Sequence, residues 1–157
     1  MKAVLVKYSK GGKGYWFEVP DHLSNKIKPN MRVICDTAIG QQNGMVASVL
    51  ITDGDDEAKE VTISAGAKFP LRKVVAVECN IPIKDIKIPS YLAHSTPNEN
   101  KIMKRFLEYY RTGKFNTSVV INDDYMLTDG YTAYLMAKML HLTHIATLIK
   151  GSGKIHF

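Results

Sequence analysis

The sequence predicts an α+β protein in two parts, a small N-terminal β-barrel over residues 1–78 and an α/β domain over residues 79–157. Two observations predict this division. The first half consists of short runs of alternating hydrophobicity that are separated by turn residues, with little helical periodicity. The second half combines a strongly amphipathic helical segment with short apolar runs in the order strand, turn, helix and strand. A length of 157 residues is enough for two small domains.

The first predicted element is a β-hairpin. Apolar residues alternate over Val4–Tyr8 and again over Tyr15–Val19. The glycine-rich segment Ser9–Gly14 separates the two runs. Two alternating runs joined by a glycine-rich connection are typical of a hairpin.

Further short strands are predicted up to the middle of the chain. Gly40–Gly44 is interpreted as the turn of a second hairpin and Asp53–Asp56 as another turn. Strands at this spacing predict a small closed or half-closed barrel. The strand candidates are Met31–Cys35, Met45–Ile51, Val61–Ile63 and Val74–Val77.

The segment Tyr15–Val49 resembles a barrel found in DNA-processing proteins, the N-terminal domain of the primosomal restart helicase. An aromatic stretch, Tyr15–Pro20, is followed by the lysine-proline turn Lys28-Pro29 and by a valine strand. A Gly-x-Val strand, Gly44–Val46, then closes the pattern. The resemblance implies a barrel that works on DNA.

The second half begins with a predicted helix that ends at Gly113. Thr96 is expected at the N-cap and Glu99 three residues later, which is a capping box. A second helix is expected over about Gly130–Leu140, capped by Asp129 or Thr128. Buried strands are expected at Val119–Ile121 and His144–Ile149. The apolar residues of the first helix recur at helical spacing: Ile102, Met103, Phe106, Leu107 and Tyr110.

The order of these segments from Asn80 to Lys150 resembles that of the ParB/sulfiredoxin-like family. Members of this family open with an "IPIxxIxxP" segment, which matches Ile81–Pro89. A helix that ends in glycine follows, and then a strand, a turn and a short helix that begins with "LxDG". Here Leu127, Asp129 and Gly130 match that helix start. The resemblance implies a ParB-like α/β fold over residues 79–157.

The charged residues of the family motif are missing from this chain. Asp129-Gly130 at a helix start leaves backbone N–H groups free for an anion. The family's His and Arg positions hold Thr132 and Ala133, and the sulfiredoxin Cys position holds Tyr131. The resemblance therefore excludes the sulfiredoxin reaction and predicts no catalytic residue.

Phosphate-binding candidates follow from the retained helix start. The signature residues are Asp129, Gly130, Tyr131 and Thr132, and the resemblance brings the preceding helix close to them, so that Lys101 or Arg105 can replace the lost cations. The alternative is that Lys101 and Arg105 belong to a solvated helix face.

Basic and aromatic residues alternate around the first hairpin. Lysines that contact phosphates and rings that stack on bases are typical of nucleic-acid interfaces. The net charge of +6 and the pI near 9.2 also favour a polyanionic partner. The alternative is a charged turn above strands that bury their aromatic residues. The candidates, which lie beside Tyr8, are Lys7, Lys10, Lys13, Tyr15 and Trp16.

Few residues indicate other chemistry, and neither a metal nor a cofactor is predicted. Cys35 and Cys79 stand in separate apolar runs, and both are expected to be free thiols in a reducing cytoplasm. His141 and His144 are three residues apart without a nearby Cys, so no metal site is predicted. His141 replaces the family's glycine and is expected in a left-handed conformation. Gly151–Lys154 is expected to be a flexible tail.

The start of the chain has no signal-peptide pattern, and no run approaches the roughly 18 apolar residues of a membrane span. A cytoplasmic protein without a membrane partner is therefore expected. The oligomeric state is not predicted.

Three functions are compatible with these residues. The first is a non-catalytic, nucleic-acid-associated (DNA-binding) protein with a degenerate ParB-like domain, from a phage or mobile element. The second is a nucleotide-binding or phosphate-ester-processing enzyme that uses Asp129, Gly130 and Thr132 with a basic residue of the first helix. The third is a protein–protein interaction module whose old ligand pocket is filled by Tyr131 and Tyr134.

Overall fold

The computed structural model describes residues 2–52, 54–67, 70–115 and 119–151. The chain separates into two compact units, Met1–Glu78 and Cys79–Phe157. That these units are the two predicted domains stays a prediction. The tail expected after Gly151 lies outside the described residues.

The described part of the first unit is an antiparallel sheet with one helix. The strand order is β2-β1-β4-β3-β5. The last strand, β5, continues into the second unit. The elements are β1 (Lys2–Lys7), β2 (Gly14–Val19), β3 (Arg32–Thr37), β4 (Gly40–Ile51), α1 (Asp55–Ser64) and β5 (Val74–Pro82).

The predicted first hairpin is confirmed. β1 and β2 pair in antiparallel fashion, with Val6 opposite Tyr15 and Val4 opposite Phe17. Val4, Val6 and Phe17 are buried, because alternate residues of each strand face the core. The same core contains Cys35, which is fully buried on β3.

The predicted β-barrel is not confirmed, because no ladder between β2 and β5 closes the sheet in the described residues. A single parallel bridge joins Glu18 on β2 to Lys73 before β5. At this point the Glu18 N–H donates to the carbonyl oxygen of Arg72 at 2.8 Å. Among the described residues, no further pairing extends along this edge of β2.

The predicted turn of the second hairpin is wrong. Gly40–Gly44 belongs to β4, and the two-residue turn lies between Thr37 and Gly40, which pair across the ladder. The Thr37 hydroxyl donates to the carbonyl oxygen of Gly40 at 2.5 Å. The polar residues of β4 had been interpreted as a turn, although a strand with a solvent-facing side accommodates them.

The predicted strand Val61–Ile63 is also wrong, because these residues lie in α1. Only Thr62 of the three is buried, whereas Val61 and Ile63 are exposed. The apolar residues that suggested a strand are therefore those that face solvent. Acidic residues in the first turn, including Asp56 and Glu57, stabilise the positive end of the helix dipole.

The second unit is a mixed α/β arrangement. β8 pairs with β6 in parallel, and β6 pairs with β7 in antiparallel fashion. Val119, Ile121 and Ile149 are buried between these strands and the helices. The remaining elements are α2 (Ser90–Ala93), α3 (Glu99–Thr112), β6 (Val119–Ile121), β7 (Leu127–Asp129), α4 (Tyr131–Met139) and β8 (His144–Lys150).

The end of α3 was predicted correctly, but its start was not. Gly113 follows the helix in the left-handed region, with φ of 72°. The N-cap is Asn98 rather than Thr96, and its side chain accepts from the Asn100 N–H at 2.8 Å. Pro97 is not followed by a helical turn at once, so the Thr96–Glu99 capping box does not form.

The start of α4 differs from the prediction as well. Asp129 lies in β7, and the N-cap is Gly130, which has φ of 85°. Neither Thr128 nor Asp129 caps the helix with its side chain. His141 after α4 has φ of 58°, as its place at the helix end predicted. Within the described residues, no helix is both long enough and apolar enough to span a membrane.

Candidate nucleic-acid interface

A cavity of about 710 Å³ opens beside β2 in the first unit. We call it the Tyr15 cavity. Two cationic residues, Lys13 and Arg72, line it together with the amide residue Gln42. The aromatic residues that line it are Tyr8, Tyr15, Trp16 and Phe17.

Two tyrosine rings of this cavity are half exposed and lie beside a cation. Tyr8 is 40% exposed and Tyr15 is 48% exposed, whereas Phe17 is buried. The centroids of the two tyrosine rings are 6.0 Å apart, with an interplanar angle of 45°. The Lys13 Nζ lies 5.5 Å from the centroid of the Tyr15 ring, within the range of a cation–π contact.

The Tyr8 ring lies close to Gly44, a position of the sheet that has no side chain. Gly44 on β4 is buried, and a Cβ there would lie 3.1 Å from Cε1 of Tyr8 and even closer to Val6. The absence of that Cβ allows the ring to lie against the backbone of β4. The position of Tyr8 therefore depends on a glycine in another strand.

A second cavity, of about 550 Å³, also has Tyr8 in its lining. We call it the Lys10 cavity. Lys7, Lys10 and Arg32 line it together with Tyr8, which is shared by both cavities. Arg32 Nε is 3.9 Å from a carboxylate oxygen of Glu78, a long and exposed ion pair.

The walls of these two cavities carry positive charge only. Among the described residues that line them, none is Asp or Glu. We call this surface, with both cavities, the Tyr8 face. Its cations are Lys7, Lys10, Lys13, Arg32 and Arg72.

All five residues predicted from the hairpin line one of the two cavities. Lys13, Tyr15 and Trp16 line the Tyr15 cavity, and Lys7 and Lys10 line the Lys10 cavity. The two arginines that line these cavities have no local signal in the sequence. Arg32 lies on β3, two strands away from β1, and Arg72 lies beside the Glu18–Lys73 bridge.

The Tyr8 hydroxyl and the Cys35 thiol both remain protonated at neutral pH, because the pKa of each is raised. Burial raises the pKa of the Tyr8 hydroxyl to about 12, with further contributions from Cys35 and Tyr15. Burial also raises the pKa of the Cys35 thiol to about 12. Cys35 is thus an unreactive buried thiol, as expected, whereas Cys79 is partly exposed.

A third cavity, of about 420 Å³, lies at the start of α4 in the second unit. We call it the Gly130 cavity. The first intrahelical bond runs from the Tyr134 N–H to the Gly130 carbonyl at 3.0 Å, so the amides of the first helical residues have no partner within the helix. All six predicted phosphate-binding candidates line this cavity: Lys101, Arg105, Asp129, Gly130, Tyr131 and Thr132.

The charges around the Gly130 cavity are largely balanced. The Arg105 guanidinium donates to both carboxylate oxygens of Glu108, at 2.5 and 2.6 Å. The Arg105 and Glu108 side chains are only 14% and 10% exposed. Arg105 therefore does not lie on a solvated helix face, which was the alternative interpretation of this residue. The Asp129 carboxylate accepts from the Gly130 N–H at 2.8 Å and adds a negative charge. Lys101 is the exposed cation at this site.

Tyrosine does not fill the groove beside Gly130. Tyr131 lines the cavity, whereas Tyr134 is buried and does not line it. Their rings are stacked, with centroids 6.3 Å apart.

The described residues contain no cluster of three or more His, Cys, Asp or Glu side chains that is suited to a metal ion. His141 and His144 are both exposed.

Comparison with known proteins yields limited similarity. No protein-family model matches the chain, and no curated protein matches it. One crystal form of a pNOB8-like ParB N-domain is similar over 48% of this chain and 30% of its own, with 18% identity and a TM-score of 0.42. A second structure of a pNOB8-like ParB N-domain is similar over 48% of this chain and 28% of its own, with 22% identity and a TM-score of 0.40. These values are too low to carry an argument, and the expected likeness to the helicase barrel is not shown.

Proposed function

We propose that the protein binds nucleic acid, without catalysing a reaction on it, through the Tyr8 face. The observation that carries the proposal is the composition of the two cavities that share Tyr8. Their described lining residues contain five cations and no carboxylate. Half-exposed tyrosine rings lie among these cations.

The physical basis is counterion release combined with stacking. Each lysine or arginine that neutralises a phosphate releases a condensed counterion, which makes the affinity fall with salt concentration. Rings such as Tyr15 add stacking energy that does not depend strongly on sequence. The partner therefore has to be a polyanion that also carries flat aromatic groups, and nucleic acid meets both requirements.

No reaction is assigned to the Tyr8 face. Its titratable side chains are lysines, arginines and tyrosines, and the raised pKa of Tyr8 keeps its hydroxyl protonated at neutral pH. A protonated hydroxyl donates a hydrogen bond to a phosphate or a base, but it does not serve as a general base there.

The experiment is a titration of the full chain with fluorescently labelled DNA, followed by anisotropy between about 50 and 200 mM salt. The proposal predicts that affinity falls steeply over this range. The variant Lys10→Gln/Lys13→Gln should lower the slope of log K against log salt by about 1.4–1.8. Lys28→Gln is the matched control, since Lys28 is exposed in the same unit and lines neither cavity. Binding that is absent, or insensitive to salt, would refute the proposal.

We also propose that residues 79–157 are a degenerate ParB-like domain. The support is the order of segments and the Asp129-Gly130 helix start that the sequence shares with that family. A phage or mobile-element origin stays a prediction.

A second candidate function is the binding of a nucleotide or another small phosphate ester at the Gly130 cavity. The observation that favours it is the convergence of Lys101 and Arg105 on the start of α4. The Arg105–Glu108 pair opposes it, because that guanidinium is already neutralised. Calorimetric titration with a panel of nucleotides and magnesium tests this function, and the absence of heat with all of them removes it.

A further inference from the structure

We propose that the ligand of the Tyr8 face is single-stranded nucleic acid and that one unpaired base enters the Tyr15 cavity. This inference rests on the proposed function and names its substrate class. The observation that carries it is a recess of about 710 Å³ whose lining combines the aromatic residues Tyr8, Tyr15 and Phe17 with the cations Lys13 and Arg72. In a duplex the flat faces of the bases are covered by their neighbours, so only an unpaired base can present a face to such a recess.

The edge of β2 that faces away from β1 carries polar backbone groups suited to the edge of a base. The Glu18 N–H points away from β1, because it donates to the Arg72 carbonyl at 2.8 Å. Backbone groups of an antiparallel strand alternate in direction with a period of two residues. The N–H and C=O of Trp16 therefore also point away from β1, and Trp16 lines the cavity.

Gln42 adds a side chain that can both donate and accept. It pairs with Cys35 across the β3–β4 ladder, so its side chain lies on the same face of the sheet as the buried thiol. Gln42 is partly exposed and lines the Tyr15 cavity. A carboxamide forms paired hydrogen bonds with the edge of a base.

The cations are divided between the two cavities that share Tyr8. Lys13 and Arg72 line the Tyr15 cavity, and Lys7, Lys10 and Arg32 line the Lys10 cavity. A strand that crosses Tyr8 can therefore place phosphates in both cavities, with a base inserted between them. This arrangement predicts a binding site of several nucleotides rather than a pocket for a mononucleotide.

An extended acidic peptide added to the β2 edge is the competing occupant. Strand addition needs several consecutive outward N–H and C=O groups. The Glu18 N–H already donates to the Arg72 carbonyl. Glu18 is the next residue after Trp16 whose backbone groups point away from β1, so this N–H is not available to an added strand. The interrupted edge and the half-exposed rings favour a base over a peptide strand.

The test uses the intrinsic fluorescence of Trp16, the single tryptophan of the chain. The full-length protein is titrated with a 16-nucleotide single strand, the same sequence as a duplex, an abasic strand of equal length and a polyglutamate peptide. The inference predicts that the single strand quenches Trp16 and binds at least about tenfold more tightly than the duplex. The abasic strand should bind more weakly and leave the fluorescence unchanged.

Variants separate stacking from charge. Tyr15→Leu should lower single-strand affinity by about 5- to 150-fold, with an unchanged salt slope, whereas Tyr15→Phe should retain the affinity. Equal binding of the single strand, the duplex and the abasic strand would overturn the inference and leave the proposed function standing. Failure to bind any nucleic acid would overturn both. Quenching by polyglutamate with an affinity equal to that of the single strand would overturn the inference in favour of a peptide.

Discussion

The ammonium group of Lys13 lies 5.5 Å from the centre of the Tyr15 ring. Lys13 precedes β2 and Tyr15 lies within it, so the hairpin itself brings the charge and the ring together. A cation and a half-exposed ring assembled before binding lose less conformational freedom when a ligand arrives. This contact is therefore a local basis for the proposed nucleic-acid interface.

Replacement of Lys13 should affect binding and leave stability unchanged. Lys13 is exposed, and surface substitutions usually change the free energy of unfolding by less than about 0.5 kcal/mol. Lys13→Gln should weaken nucleic-acid binding and lower the salt slope by about 0.7–0.9, while Lys13→Arg should retain both. Anisotropy titrations and urea denaturation measure the two effects. A Gln variant that binds as tightly as the unmodified protein would argue against this role of Lys13.

A methyl group at Gly44 should disturb the Tyr8 ring. The added Cβ of Gly44→Ala would lie 3.1 Å from Cε1 of Tyr8 and closer still to buried Val6. Overpacking of this kind costs about 1–3 kcal/mol of unfolding free energy. Urea denaturation should show this loss, and nucleic-acid affinity should fall at conditions where the variant is folded. The control Gly54→Ala has open space at its Cβ and should cost less than about 1 kcal/mol, which is the preference of a helix N-cap for Gly over Ala.

The Cys35 thiol should make the first unit less stable at alkaline pH. Burial raises its pKa from 9.0 to about 12, so the folded state binds the proton more tightly than the unfolded state does. The stability from this group is complete below pH 9 and is lost as the pH rises towards 12, at no more than about 1.4 kcal/mol per pH unit. Urea midpoints between pH 8 and pH 11 should therefore fall less steeply for Cys35→Ala. Parallel curves for the two proteins would contradict this explanation.

Gly130 should tolerate no ordinary side chain without a loss of stability. Its φ of 85° is in the left-handed region, where a Cβ costs about 1–2 kcal/mol. Gly130→Ala should lower the free energy of unfolding by that amount, as measured by urea denaturation. Gly54→Ala again serves as the control, since Gly54 has φ of −155°. An equal effect of the two substitutions would show that the backbone conformation of Gly130 is not the cause.

Local signals predicted a large part of the fold. The alternation of Val4 and Val6 with Tyr15 and Phe17 predicted the first hairpin, and the glycine at 113 predicted the end of α3. Signals that depend on the tertiary environment failed. Val61 and Ile63 suggested a strand, yet both are exposed on α1, where Thr62 between them is buried. Closure of a barrel depends on pairing between strands that are distant in the sequence, and no local sequence pattern predicts this pairing.

The candidate sites were predictable where their residues lie close together in sequence. The hairpin residues Lys7, Lys10, Lys13, Tyr15 and Trp16 carried a recognisable basic and aromatic pattern. Arg72 did not, because it reaches the same cavity only through the bridge between Glu18 and Lys73. The pairing of Arg105 with Glu108 was also missed, since helical spacing alone does not reveal how far a side chain is covered.

The most direct test of the central claim is the salt-dependent titration of the full chain with a labelled 16-nucleotide single strand, repeated with Lys10→Gln/Lys13→Gln and with Lys28→Gln. The account predicts binding at about 50 mM salt that weakens steeply by about 200 mM. It also predicts a reduced slope for the double variant alone. Absence of binding at low salt, or equal slopes for all three proteins, would contradict the account.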